Sequence, residues 1–180
     1  MQCIQHTKVT GKSLTDDITN FYRNVHNPIW AFVVFQNNRL NNQQKDNAVF
    51  DHSDVRNVWI ELNGRRYPEE SLNLDWDAGQ YCLAYQAHQE YKKNFNKLSK
   101  AMLPYVDFKD FKNLYPIYSI DLNNQPKRIS DAKSNIVLNI DFNKPVKSPG
   151  DNDEGTICYV IVVSDYLLHY EPLKNKITGL

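Results

Sequence analysis

The apolar run at residues 29–36, Ile-Trp-Ala-Phe-Val-Val-Phe-Gln, constrains the fold more than any other part of the chain. Most of its residues are β-branched or aromatic, the types that suit a pleated strand. The run is continuous instead of alternating between apolar and polar residues. Such a run predicts a strand that is buried on both of its faces.

Other segments predict a mostly antiparallel β domain around this strand. Asn63-Gly64, directly after the strand predicted at residues 54–62, is a strong hairpin signal because both residues accept the positive φ of a type I′ turn. The return strand at residues 65–67 is short, since Pro68 cannot donate to a ladder. Further extended segments are predicted from apolar alternation or apolar runs at residues 12–20, 71–77, 115–122, 136–142, 156–164 and 166–170.

One clear helix is predicted, at residues 79–99, with Asp77 placed to cap its first turn. Its apolar and aromatic side chains recur at spacings of three and four, at Tyr81, Ala84, Tyr85, His88, Tyr91, Phe95 and Leu98. A shorter helical turn is predicted at residues 107–114.

Polar stretches separate these elements. Residues 20–28 predict a turn, residues 37–54 a long loop held once to the body by Phe50, and residues 143–155 a linker. Connections this long favour crossings between two sheets over simple hairpins. We therefore expect an all-β fold with one inserted helix, an antiparallel jelly-roll β-sandwich. We assign residues 1–180 to a single domain, with residues 1–11 as a flexible or extended N-terminal segment.

Charge and cysteine content restrict the classes of partner. Lys and Arg together number 21, as do Asp and Glu, so the net charge is zero. This balance argues against bare nucleic acid or an anionic membrane as partners. The start lacks the apolar core of a signal peptide, which predicts intracellular synthesis or a chain that begins partway along a longer protein. Cys3, Cys82 and Cys158 form no CxxC pair of the zinc or redox type.

Motifs that would indicate an enzyme are absent from the sequence. It has no glycine-rich phosphate loop, no HExxH, no Gly-x-Ser-x-Gly and no calcium-binding loop with a closing Glu. Cupin enzymes share the jelly-roll architecture but need a His-x-His pair, and the five histidines here are scattered singly: His6, His26, His52, His88 and His169. We therefore predict no enzymatic activity and no catalytic, cofactor-binding or metal-binding residues.

Several residues admit a functional and a structural interpretation. Asp51-His52 could form half of an acid–base pair, but a loop anchor beside a buried Phe50 is the favoured interpretation. His88 is interpreted as a core histidine with a hydrogen-bond partner. Cys82 and Cys158 are interpreted as small buried hydrophobes, although a Cys–His nucleophile formed across the fold stays open.

Three further clusters have the same two interpretations. Arg65-Arg66 could contact phosphate or stack on a base, but a solvated hairpin tip is favoured on a neutral domain. The helical tyrosines could line a ligand groove, but packing in a core or interface is favoured. The acidic residues 151–154 suggest calcium, but no ordered ligand spacing follows and a flexible linker is favoured.

The order of several segments is more informative than any single one. Along the chain these are residues 30–36, 49–52, 55–64, 66–68, 72–75, 114–122, 125, 136–142, 158–165 and 170–173. In that order they resemble the C-terminal half of double jelly-roll capsid proteins, in particular those of Polinton/Maverick-type elements and adintovirus-like viruses. The resemblance extends over residues 7–175.

The resemblance implies a structural function. Members of that family carry two eight-stranded jelly rolls per chain, and three chains form a pseudo-hexagonal capsomer of an icosahedral shell around double-stranded DNA. There are no catalytic residues to carry over. The resemblance implies a virion protein made in the cytoplasm or nucleus. Its partners are then copies of itself, in a homo-oligomer such as a trimer, or a second jelly-roll domain. Neither membrane association nor sequence-specific nucleic acid binding is expected.

The length departs from the family pattern, because 180 residues leave room for one jelly roll. A fragment, a domesticated remnant and a single-roll relative all stay open. A lone roll would expose the apolar face that its partner normally covers. The loop at 37–54 and the linker at 143–155 are predicted to contact neighbouring copies. The alternative functions are a jelly-roll module that recognises carbohydrate or protein, and then a metal-dependent enzyme of cupin type.

Overall fold

The described part of the chain folds as an antiparallel β-sandwich. The computed structural model describes residues 2–9, 15–39, 42–96, 106–125, 133–146, 155–164, 168–171 and 176–179. The strands are β1 (Gln2–Val9), β2 (Thr15–His26), β3 (Pro28–Asn37), β4 (Val55–Leu62), β5 (Arg65–Tyr67), β6 (Tyr118–Asp121), β7 (Lys133–Phe142), β8 (Thr156–Ser164), β9 (Leu168–Glu171) and β10 (Lys176–Gly179). The helices are α1 (Cys82–Asn96) and α2 (Phe108–Asn113).

The strand order identifies the sandwich as a jelly roll. One four-stranded sheet has the order β1-β8-β3-β6 and the other has the order β2-β7-β4-β5. Strand β1 therefore pairs with β8, β2 with β7, β3 with β6 and β4 with β5, all antiparallel. This is the pairing of a long double ribbon wound around a barrel-like core, which defines the eight-stranded jelly roll. The predicted fold class is confirmed.

Local sequence explains the strands that were predicted closely. Strands β3, β4 and β8 lie where their apolar runs placed them. Asn63 and Gly64 have φ values of 51° and 80°, the positive values that a type I′ turn between β4 and β5 requires. Strand β7 begins at Lys133, before the predicted residue 136, and its inward residues Ile136, Leu138 and Ile140 are fully buried.

The turn predicted at residues 20–28 is wrong. Strand β2 continues to His26, and the chain turns at Asn27, where φ is 37°. Among the described strands, β2 lies at the edge of its sheet, and its register with β7 shifts twice between Ile18 and Val25. Such irregularities at a sheet edge accommodate polar residues that would disrupt a central strand. The start of the predicted strand, residues 12–14, lies outside the described residues.

Two strand predictions were too long or incomplete. Only Tyr118–Asp121 of the segment 115–122 forms β6, since Pro116 lacks an N–H and Ile117 donates to the carbonyl of Tyr115 at 2.8 Å. The final extended piece corresponds to β9, which pairs with the unpredicted β10 in a separate two-stranded sheet. The N-terminal segment, left as flexible or extended by the sequence, contains β1.

Both helices lie between β5 and β6. Helix α1 begins at Cys82 and not at residue 79, because Gln80 and Asp75 exchange backbone hydrogen bonds of 2.7 and 3.0 Å in a turn. The capping role predicted for Asp77 is therefore wrong, and its carboxylate pairs with Lys144 instead. The predicted end of this helix, residues 97–99, lies outside the described residues. The short helix predicted near residue 110 is confirmed as α2.

The core lies between the two sheets and includes alternate residues of β3, β6, β7 and β8 and most inward residues of β4. Phe35 of β3 and Phe142 of β7 meet edge to face with ring centroids 5.9 Å apart. An aromatic cluster continues this core towards the helices, where Trp76 stacks on Tyr81 at 5.0 Å and on Phe111 at 6.3 Å. In the described residues, no helix is long and apolar enough to cross a membrane.

The loop after β3 is attached to the sandwich at several points, so the prediction of one attachment through Phe50 is wrong. The amide of Asp51 donates to the carbonyl of Phe35 at 2.8 Å, and the Asp51 carboxylate forms a bidentate pair with Arg39. The side-chain amide of Gln36 donates to the carbonyl of Asn47 at 2.8 Å. Phe50 itself is half-buried and not buried.

Candidate assembly surface

The outward side of the first sheet is apolar along its two central strands, over residues 30–34 of β3 and 157–163 of β8. On β3 the side chains of Ala31, Val33 and Phe35 belong to the core, so the alternate residues Trp30, Phe32 and Val34 lie on the outer side. On β8, Tyr159, Ile161 and Val163 alternate in the same way with the core residues Cys158, Val160 and Val162. We call the surface formed by Phe32, Val34, Tyr159, Ile161 and Val163 the β8 face.

The register places these residues side by side across the two strands. Val34 lies opposite Tyr159, Phe32 opposite Ile161, and Trp30 opposite Val163. Directly opposed side chains on one side of an antiparallel pair are in contact distance. The β8 face is therefore a continuous patch of aromatic and branched side chains, all of them uncharged.

Helix α1 covers one side of this patch. The ring of Tyr91 meets Phe32 at 4.5 Å and Trp30 at 5.3 Å, both edge to face. One turn earlier, His88 lies 3.4 Å from the hydroxyl of Ser119 on β6. Trp30 is 4% exposed and Phe32 is 9% exposed, whereas Tyr159, Ile161 and Val163 are only half-buried. The apolar patch thus extends beyond the cover that Tyr91 provides, onto β8.

The outer side of the second sheet is different. Arg66 of β5 lies over the ring of Trp59 on β4, with the guanidinium carbon 4.4 Å from the ring centroid. The indole N–H of Trp59 donates to Glu61 at 3.4 Å. The side-chain amide of Asn57 donates to Asp141 of β7 at 3.3 Å. Polar and charged groups contact one another across this sheet, as on a surface that faces water.

Asp51 and His52 have different partners. The Asp51 carboxylate binds Arg39, while the His52 ring stacks on Trp76 with centroids 4.7 Å apart. Nδ1 of His52 accepts the backbone N–H of Asp54 at 3.1 Å. Burial of the imidazole lowers its pKa from the usual value. This arrangement fixes the loop to the aromatic cluster and does not pair His52 with Asp51, while Nδ1 of His52 lies 3.5 Å from the carboxylate of Asp54.

His88 and Cys158 are buried, whereas Cys82 is exposed. His88 is 4% exposed and lies between Ser119 and the ring of Phe111. Cys158 is fully buried, and this burial raises the pKa of its thiol strongly. Cys82 was predicted to be buried, but it is exposed. The reason is its place in the first turn of α1, where Leu83 beside it is also exposed and Ala84 is the first residue to face the core.

The two arginines at the hairpin differ from each other. Arg65 is exposed and pairs with Glu69, as expected for a solvated tip. Arg66 is half-buried, stacks on Trp59 and donates to the hydroxyl of Ser71 at 3.0 Å. Arg66 is therefore only partly solvated, because its guanidinium packs on Trp59 of the second sheet.

The remaining candidates concern metals and the helical tyrosines. The acidic stretch 151–154 lies outside the described residues. Within the described part, no group of three or more His, Cys, Asp or Glu side chains could hold a metal ion. Tyr81 and Tyr85 pack on Phe108 of α2 at 4.2 and 5.2 Å, and their hydroxyls reach backbone carbonyls.

The residues that carry the β8 face were not singled out from the sequence. The signal was present, because residues 157–163 form an apolar run without alternation, as residues 29–35 do. The rule that such runs are buried on both faces applies to both strands.

The jelly-roll topology agrees with one comparison. A family model for a double jelly roll-like domain matches residues 10–168. The chain belongs to this family. The matched region of this double jelly roll-like domain begins just after β1 and includes all of β2 to β8. Neither a curated protein nor a solved structure matches the chain.

Proposed function

We propose that this double jelly roll-like domain is a structural capsid protein, or a domesticated descendant of one, that acts by assembling with other jelly rolls. Its sequence resembles the C-terminal half of the double jelly-roll capsid proteins of Polinton/Maverick-type elements and adintovirus-like viruses. The observation that carries the proposal is the half-open β8 face, the apolar outer surface of the central strands β3 and β8.

Physical chemistry favours a packed partner on this face. When the outer side of an antiparallel sheet faces water, its outward residues are normally polar and alternate with apolar inward residues, as on the second sheet. Contiguous apolar patches on a surface mark interaction sites. Interface cores are enriched in aromatic residues and depleted of charge, and the β8 face has both properties. Burying Tyr159, Ile161 and Val163 would contribute about 25 cal/mol for each Å² of apolar area removed from water.

We expect the partner to be another copy of this chain or a second jelly-roll domain, with a trimer as the expected capsomer. The loop at 37–54 and the linker at 143–155 are the proposed contacts with neighbours. Residues 43–48 of that loop are exposed, while Arg39 and Asp51 fix its two ends to each other. A loop with a rigid base and an exposed tip suits a contact between subunits. We propose a virion location and no catalytic activity.

Sedimentation velocity over a wide range of concentrations tests this proposal. The variant Ile161→Lys places a charge on the β8 face. The variant Val137→Lys is a matched control, because Val137 is also a half-buried branched residue of a central strand, but on the outer side of the second sheet. We expect the wild-type chain to associate. Ile161→Lys should weaken association at least about tenfold, which corresponds to 1.4 kcal/mol, and Val137→Lys should not.

Two results would contradict self-assembly through this face. One is a wild-type chain that stays monomeric at every concentration. The other is equal association of the two lysine variants. Circular dichroism of both variants shows whether each has kept its fold.

A further inference from the structure

A groove lies along the β6 edge of the sandwich, beyond Trp30. Its volume is about 450 Å³. One wall is formed by β6 and α1, and the other by the segment from Tyr67 to Leu72 that follows β5. Trp30, Tyr67 and Ile120 form an apolar floor. This volume is within the range of sites that hold a small ligand or a few residues of a peptide.

The groove runs along the edge of a strand. Three successive residues of β6, Ser119, Ile120 and Asp121, all line it. Successive side chains of a strand point to opposite sides of the sheet, so a groove in contact with all three lies beside the strand and not above it. Among the described strands, β6 pairs only with β3, so it is an edge strand.

The register shows which backbone groups face the groove. Leu122 donates its N–H to the carbonyl of Ile29 on β3 at 3.0 Å. In an antiparallel pair, successive residues direct their N–H and C=O alternately towards and away from the partner strand. Ser119 and Asp121 are therefore the residues of β6 whose backbone groups point away from β3. Edge groups of this kind are a template for an added strand.

The rim of the groove is acidic. Glu69 and Glu70 line one wall, and Glu90 of α1 and Asp121 of β6 line the other. None of the lining residues is basic. Glu69 pairs with Arg65, whereas among the described residues Glu90 accepts a hydrogen bond from the neutral Gln86 and Asp121 accepts from Asn123. Most of this negative charge is thus uncompensated by a cation within the described residues.

From the unpaired edge of β6, the apolar floor and the acidic rim, we infer that the groove binds an extended, basic peptide segment of a partner protein. This segment adds as a strand to the free edge of β6. Alternate side chains of such a strand point to opposite sides. Lysine or arginine side chains then reach the acidic rim, and the apolar side chains between them contact the floor. Strand addition obtains affinity from main-chain hydrogen bonds and specificity from alternate side chains.

A peptide fits this groove better than a sugar. Sugars stack on an open aromatic ring, but Trp30 is 4% exposed and is covered by Tyr91. A neutral sugar would also leave the rim charges uncompensated. The inference goes beyond assembly through the β8 face, and its test measures peptide binding to the full chain and not association of copies.

The first test is a titration of the full chain into a fluorescein-labelled hexapeptide that alternates lysine and isoleucine, followed by fluorescence anisotropy. A hexapeptide that alternates glutamate and isoleucine is the control for charge. We expect saturable binding of the lysine peptide that weakens as salt screens the rim, and no binding of the glutamate peptide. The double variant Glu70→Gln/Glu90→Gln should weaken binding roughly 2- to 25-fold, as expected for two exposed ion pairs.

A matched variant controls for the general loss of negative charge. Glu61 lies on the outer side of the second sheet, outside the groove, and Glu61→Gln keeps an acceptor for Trp59. This variant should bind the lysine peptide as the wild type does. The inference is overturned if Glu61→Gln weakens binding as much as one of the rim substitutions does.

The second test separates strand addition from charge alone. Asp121→Asn removes the charge and keeps the backbone N–H, whereas Asp121→Pro also removes the N–H that faces the groove. Proline is tolerated at edge positions whose N–H does not pair. We expect Asp121→Pro to bind more weakly than Asp121→Asn. A lysine–isoleucine peptide with alternate N-methylated amides provides the same comparison on the wild-type chain.

Three outcomes would overturn the inference. One is that Asp121→Pro binds the lysine peptide as well as Asp121→Asn does, and that the N-methylated peptide binds as well as the unmodified one. Another is that the glutamate peptide binds as tightly as the lysine peptide. The third is that a glycan binds saturably while the lysine peptide does not.

Discussion

The outer sides of the two sheets differ although their inner sides are alike. Towards the core, both sheets present alternate branched and aromatic residues, and Phe35 of one meets Phe142 of the other. On the outer side, the first sheet presents the apolar β8 face and the second presents paired polar groups around Trp59. The inner sides show what closes the sandwich, and only the outer sides show where another surface can pack.

The largest expected effects on stability concern the inner sides of the two sheets. Phe35→Ala and Phe142→Ala each remove a buried ring from the same edge-to-face pair. Each should lower the free energy of unfolding by about 3–5 kcal/mol, since a cavity remains in a closed core. Denaturant titrations of both variants measure this. A loss below about 1 kcal/mol at either position would contradict an equal role of the two sheets in the core.

Tyr91→Ala tests the cover that α1 provides on the first sheet. It removes two edge-to-face contacts, with Phe32 and Trp30. Aromatic pairs contribute about 0.5–1.5 kcal/mol each, so we expect a loss of about 1–3 kcal/mol in the free energy of unfolding. The variant should also expose more of the apolar sheet and bind more of the dye ANS. Unchanged stability and dye binding would show that Tyr91 covers nothing.

Arg66→Ala is the corresponding change on the second sheet. It removes the cation over Trp59, an interaction worth about 0.5–1 kcal/mol at a partly exposed site. We expect that loss of stability without any change in self-association, because this side faces water. Thermal or denaturant unfolding together with sedimentation checks both statements. A change in association as large as that of Ile161→Lys would remove the distinction between the two sheets.

The smallest expected effect is a pH dependence from His52, which lies outside both outer faces. Burial lowers the pKa of this histidine in the folded chain. The unfolded chain therefore takes up a proton first as the pH falls below about 6.5, and the free energy of unfolding decreases there. The contribution is fully present above that pH. Asp54 and Asp51 act against the shift and Lys112 acts with it.

Denaturant titrations from pH 8 to pH 5.5 measure this contribution as the difference between the wild type and His52→Gln. We expect the difference to be constant at the upper end and to shrink at the lower end. A difference that grows as the pH falls would mean that the folded state favours the protonated imidazole.

Three apolar segments show how far the sequence predicted the fold, namely residues 29–36, 136–142 and 156–164. Their apolar patterns located β3, β7 and β8 closely, because burial in a sheet demands β-branched and aromatic residues at fixed spacing. The pattern did not show that β7 and β8 belong to opposite sheets. Periodicity reports which side of a strand is buried, but not which strand lies beside it.

The errors have physical causes of the same kind. Strand β2 was cut short at residue 20 because its polar residues resemble a turn, while its edge position and irregular register allow them in a strand. The helix was started too early because the turn between Asp75 and Gln80 depends on backbone pairing that side-chain patterns do not record. Cys82 was predicted to be buried because cysteine is usually a buried residue type, but its position on α1 exposes it.

By itself, the sequence determined the β class, the hairpin at Asn63-Gly64, most of the core residues and the order of segments from which the family resemblance follows. These depend on local geometry and on the period of side chains along a strand. Only the tertiary structure decided which apolar surface stays half-open, and which edge of β6 faces an acidic groove. Both depend on residues far apart in the chain, such as Phe32 with Ile161 and Glu70 with Asp121, which the winding of the two sheets brings together.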